Sequence, residues 1–137
     1  MSSLRLLIAK SFRPNDKGSF DVDTVQDIAT AKLPVDVDLT LVLQLTEDLD
    51  ELHIGESALV VSVIDAGGRE ELLRGTVDAQ SAHRVRRAEP GEQESATMTI
   101  PIPIMFKASR IGPVTIEATL GDLRASATMT VRKVMRA

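Results

Sequence analysis

From Leu33 to Leu45 every odd-numbered residue is apolar: Leu33, Val35, Val37, Leu39, Leu41, Leu43 and Leu45. The residues between them, Pro34, Asp36, Asp38, Thr40 and Gln44, are polar or ring-constrained, and Val42 is the exception. An extended chain turns successive side chains to opposite sides, so this run predicts a strand with one buried and one wet face. A helix would scatter the same residues around its circumference.

The same period recurs along the chain. Residues 4–12 predict a first strand with Leu4, Leu6 and Ile8 inward, followed by a polar turn over Arg13-Pro14-Asn15-Asp16-Lys17-Gly18. Alternation restarts with Phe20 and Val22. It then changes spacing at Val25 and Ile28, which predicts a bulge or short helical turn near Asp23 to Asp27. Ser57 to Ile64 reads as a strand with Leu59, Val61 and Val63 on one face. Asp65-Ala66-Gly67-Gly68-Arg69 reads as a hairpin loop, and Glu70 to Ala79 as the strand pairing back. Gln80 to Glu94 carries no core pattern and reads as a mobile loop, or as a strand edge followed by one.

Two C-terminal segments are more tightly specified. From Glu94 to Phe106 the apolar face is Ala96, Met98, Ile100, Ile102, Ile104 and Phe106, with Pro101 and Pro103 on the other face. Two missing backbone donors place such a strand at a sheet edge or where the chain switches sheets. Then Val114, Ile116, Ala118 and Leu120 alternate, Gly121-Asp122 fits a two-residue primed turn, and Leu123, Ala125, Ala127 and Met129 alternate back. In that register Leu120 faces Leu123, Ala118 faces Ala125, Ile116 faces Ala127 and Val114 faces Met129. A slip of one residue would set them against polar partners.

These segments predict an all-β fold: an antiparallel two-sheet sandwich of immunoglobulin-like architecture with about seven or eight strands. A small barrel is the alternative. The 137 residues fit a single domain spanning 1–137. The chain has no cysteine or tryptophan, so the immunoglobulin likeness is one of architecture alone.

Gly18-Ser-Phe-Asp-Val-Asp-Thr-Val-Gln-Asp-Ile-Ala-Thr-Ala-Lys-Leu-Pro34, with the long strand after it, resembles the start of a small uncharacterised bacterial family of single-domain proteins. Asp27, Ile28, Leu33 and Pro34 match its pattern, and Gly112-Pro113 with the terminal hairpin is similar to its ending. The resemblance implies a β-sandwich and brings no known activity with it.

Composition narrows the function. Without cysteine there are no disulfides, thiolate metal sites or cysteine nucleophiles, and the chain fits a reducing compartment. Arg5 and Lys10 interrupt the apolar start, and no stretch approaches a membrane span, so the expected location is cytoplasmic with no membrane association. A net charge of −4, three Phe and no Tyr or Trp argue against nucleic acid as a partner.

Catalysis and metal binding find little support. His53 and His83 are the only histidines, and no glycine-framed elbow presents Ser81 beside His83. No catalytic residues and no cofactor are expected. Asp21, Asp23, Asp27, Asp36 and Asp38 raise the question of calcium, which takes six to eight oxygens. They match no EF-hand loop, and Asp36 and Asp38 stand about 7 Å apart along one strand. They read as a wet face that discourages edge pairing. No metal site is assigned.

The one basic cluster is His83-Arg84-Val85-Arg86-Arg87, which with Arg74 could meet phosphate or an acidic surface. Arg84, Arg86 and Arg87 are the expected partner-facing residues. The reading is a non-enzymatic binding or assembly module acting through strand edges and charged loops, with a protein partner or self-association. One alternative is a structural subunit of a phage-like or injection-type particle. The other is a hydrolase or ligand-binding enzyme with a loop cleft.

Overall fold

The computed structural model describes residues 3–14, 20–48, 56–78 and 95–134. Among these residues the chain forms nine strands: β1 (Ser3–Pro14), β2 (Phe20–Thr24), β3 (Asp27–Thr30), β4 (Val35–Asp48), β5 (Glu56–Asp65), β6 (Gly68–Asp78), β7 (Ser95–Ala108), β8 (Gly112–Leu120) and β9 (Leu123–Lys133). They make a four-stranded sheet, order β2-β1-β4-β7, and a five-stranded sheet, order β3-β9-β8-β5-β6.

The alternating residues of β4 do what their period requires. Val37, Leu39, Leu41, Leu43 and Leu45 are buried, and they pack with Leu59, Val61 and Val63 of β5 and Val114, Ile116 and Ala118 of β8 in one apolar cluster between the sheets. Leu6 and Ile8 from β1, and Met98, Ile102, Ile104 and Phe106 from β7, complete the inner face of the four-stranded sheet. Removing this much apolar surface from water is the main force holding the two layers together. The side chains of Phe20 and Ala96, also expected inside, lie outside the described residues.

The terminal hairpin has the register expected from its turn. Leu120 pairs with Leu123, Ala118 with Ala125, Ile116 with Ala127 and Val114 with Met129. Gly121 takes φ +58° and Asp122 does not, the pattern of a II′ turn, whose twist suits the flanking strands.

Three expectations need correction. The sandwich is not wholly antiparallel, because β3 runs parallel to β9, with Asp27 opposite Thr130 and Thr30 opposite Lys133. The described residues form nine strands, because residues 20–30 split into β2 and β3 on different sheets. And the change of spacing near Asp23 to Asp27 is not a helical turn. The chain crosses between layers there: the Val25 amide donates to the Ile8 carbonyl (2.9 Å), and the Thr130 amide donates to the Gln26 carbonyl (3.0 Å). Past this crossing β3 joins the second sheet and pairs with β9 in parallel. The bulge sits on the neighbouring strand instead, where the β1–β2 register jumps between Ala9 and Ser11 and leaves Lys10 extra.

Val42 breaks the polar side of β4 and is only 1% exposed. It faces away from the core, flanked in register by Leu7 of β1 and Pro101 of β7. The outer surface of this sheet therefore has a small apolar row of its own.

Leu41 has no exposed surface, whereas Met105 on the outer face of β7 is 69% exposed. Leu41→Ala should lower unfolding free energy by about 2–5 kcal/mol. Met105→Ala should stay within about 0.5 kcal/mol of the wild type. Urea midpoints at unchanged slope measure both.

Candidate functional site

Arg84, Arg86 and Arg87, with His53 and His83, lie outside the described residues. The five aspartates do not converge. Asp21 and Asp23 line a groove of about 360 Å³ with Arg13, while Asp27, Asp36 and Asp38 line another of about 330 Å³ with Lys10. Each groove contains a cation, and Asp27 is bridged to Arg132 at 3.1 Å. Among the described residues no three histidine or carboxylate side chains stand together as ligands for one ion. No helix among the described residues is long and apolar enough to cross a membrane.

A third groove, about 330 Å³, lies at one end of the sandwich between the β5–β6 turn and the end of β7. Its floor includes Val63 and Phe106, and its rim carries Asp65, Arg69, Lys107 and Arg110. Mixed charge around a small apolar floor gives it no strong preference for one ion.

The sheet edges differ more sharply. A sandwich of two open sheets has four edges, which among the described residues are β2, β7, β3 and β6. Two are short: β2 has five residues and β3 has four. A short edge offers little ladder to a visitor. The edge on β7 is long but blunted. Pro101 and Pro103 oppose Val42 and Thr40, and on an edge strand paired along its other side their missing donors fall on the open side.

The edge on β6 is long and contains no proline. Its turn, Ala66-Gly67, is closed by the Asp65–Gly68 pair, with Gly68 at φ +127°. Counting alternate bonded pairs from that turn, the odd residues of β5 face β6 with their amides. The amides of Arg69, Glu71, Arg74 and Thr76, whose partners are Ile64, Ser62, Val60 and Ala58, then point to the open side. The side chains of these four residues share the outer face.

A bulge makes that arrangement possible. The β5–β6 register jumps between Val61–Leu73 and Ser62–Glu71, leaving Leu72 extra. In a regular strand Glu71 and Arg74 would lie on opposite faces. The extra residue brings them to the same one, where Arg74 Nη2 meets Glu71 Oε1 at 2.6 Å. The hydrogen bond and the charge of Glu71 hold the Arg74 guanidinium above its ordinary range. Of the two adjacent leucines, Leu72 packs against the core and Leu73 stays 36% exposed.

Arg69 reaches across β5 to Glu117 of β8, Nη1 to Oε1 at 2.8 Å. The hydrogen bond from Arg69 is the main cause holding the Glu117 carboxyl below its usual range; burial opposes it, and the charges of Arg69 and Arg124 add to it. The edge strand is thus tied to the sheet on its outer face as well as through its backbone.

Of the basic residues that the sequence singles out, Arg74 lies on β6, while Arg84, Arg86 and Arg87 follow it. The signal was available in Glu71-Leu72-Leu73-Arg74, where two adjacent leucines interrupt alternation and mark the bulge.

A carboxyl lowered in the folded state contributes stability above its unfolded pKa and loses it as pH falls through the folded one. Wild type should therefore exceed Glu117→Gln by no more than about 1 kcal/mol near neutrality, since Arg69 faces solvent. The gap should close below about pH 4. Thermal midpoints across that range measure it.

Set against known proteins, the chain matches no family model and no curated protein.

Proposed function

We propose that this chain is a non-enzymatic binding or assembly module that recruits a protein by adding a strand to β6. The observation carrying this reading is the inequality of the two long edges. One has lost two amides to Pro101 and Pro103, while the other turns the amides of Arg69, Glu71, Arg74 and Thr76 outward. Strand addition draws affinity from such amides and specificity from the side chains alternating between them.

The charged outer face of β6 selects a partner whose strand carries charges of both signs, and it disfavours a plain apolar strand. Arg84, Arg86 and Arg87 follow β6 in the chain and belong to the proposal as further partner-facing charges. A protein partner in a reducing, cytoplasmic setting suits a chain without cysteine. An immunoglobulin-like arrangement of the two sheets, and kinship with the bacterial family suggested by Asp27, Ile28, Leu33 and Pro34, are part of the same reading.

A photo-crosslinking residue placed at Thr76 on β6 should capture a protein in cells several-fold more than the same residue placed at Thr99 on β7. Equal capture from the two edges, or none at Thr76, would overturn the reading.

A further inference from the structure

We infer that the strand added to β6 is β6 of a second copy, paired antiparallel about a two-fold axis; this rests on the binding-module reading and names its partner. The charges of the strand are complementary to themselves under that symmetry. When Glu71 is set opposite Arg74 of a second copy, Arg74 falls opposite Glu71 of that copy. In the same register Arg69 meets Thr76 and Leu72 meets Leu73. All four outward-facing residues, Arg69, Glu71, Arg74 and Thr76, find one another, and their amides are the ones pointing to the open side. Cross-strand pairs of opposite charge favour this alignment, and a shift by one residue would lose both pairs.

The bulge suits self-pairing and hinders other partners. A regular visiting strand would meet one residue too many at Leu72. A second β6 carries the same extra residue at the corresponding place, so the two irregularities coincide and the ladders on either side stay in step. Leu73, a large apolar side chain left 36% exposed on this strand, would lie against the leucines of the facing strand. On the other side of the ladder Gly75 falls opposite Glu70, and a Cβ built on Gly75 meets nothing within 4 Å, so the facing side chain has room. The bond between Glu71 and Arg74 within each copy is exchanged for one between copies, two for two.

The assembly closes at two. A two-fold contact uses the same patch on both copies and leaves no second β6 to extend it. The other long edge carries Pro101 and Pro103 and cannot propagate the sheet.

The test is a charge swap read by sedimentation of the full chain across the micromolar range. Wild type should dimerise with rising concentration. Glu71→Arg and Arg74→Glu should each weaken self-association about tenfold or more, because each sets like charges opposite one another. An equimolar mixture of the two should associate again, since at positions 71 and 74 the first variant then offers only arginine and the second only glutamate. Wild type that stays monomeric, or variants that fail to associate when mixed, would overturn the inference.

Hydrogen exchange on wild type guards against a variant that does not fold. The amides of Arg69, Glu71, Arg74 and Thr76 should slow with concentration while those of Thr99 and Met105 do not; equal change at both edges, or none, overturns it. A monomeric wild type that still crosslinks to a different protein through Thr76 would end the self-pairing and leave the binding module standing.

Discussion

Leu41 and Leu43 have no exposed surface, and the strand that carries them is hydrogen-bonded along both sides, to β1 and to β7. One strand therefore supplies both the centre of a sheet and the middle of the core. Its inner side chains settle the spacing between layers, because β5 and β8 can approach only as far as Leu39, Leu41 and Leu43 allow. Its backbone settles the register of two neighbours at once. Loosening that single strand would remove the reference to which the other positions are set.

Once a strand is central, others must be peripheral, and each outer strand has a different answer to its unpaired backbone. Shortness serves β2 and β3, and prolines serve β7. On β6 a bulge and a row of charges discourage indiscriminate pairing without removing the amides. Devices of this kind usually lower the risk of aggregation. In the self-pairing we propose, the complementary charges of Glu71 and Arg74 would make the same device selective, favouring a second copy over other strands.

Much of the architecture was legible because periodicity reports directly on which side of a strand is buried. The terminal hairpin could be placed residue by residue, since Gly121-Asp122 restricts the turn and Leu120 to Val114 accept only one set of apolar partners. Pro101 and Pro103 announced an edge for the same local reason. What escaped was non-local. Neither Val25 nor Gln26 carries any mark of the layer it will join, and the parallel pairing of β3 depends on Thr130 far along the chain. Nor does the sequence show that Val42 will lie in register between Leu7 and Pro101, which belong to strands far apart in the chain. The candidate site was half visible: its charges were present in the composition, but their common face is created by one extra residue in β6.

The crossing at Val25 and Gln26 has a consequence for how the molecule comes together. Asp27 to Thr30 can dock only after β9 exists, so the long stretch from Asp27 to Thr130 must be closed into a loop before this ladder gains its first bond. Contacts between residues so far apart in the chain are slow to form, because loop closure must precede them. The four residues of β3 then act as a latch that joins an early part of the chain to its end. A latch so short, resting on the rim of the larger sheet, is the natural first point of local opening, and its release would unseat the C-terminal strand from one side while the central layers stay shut.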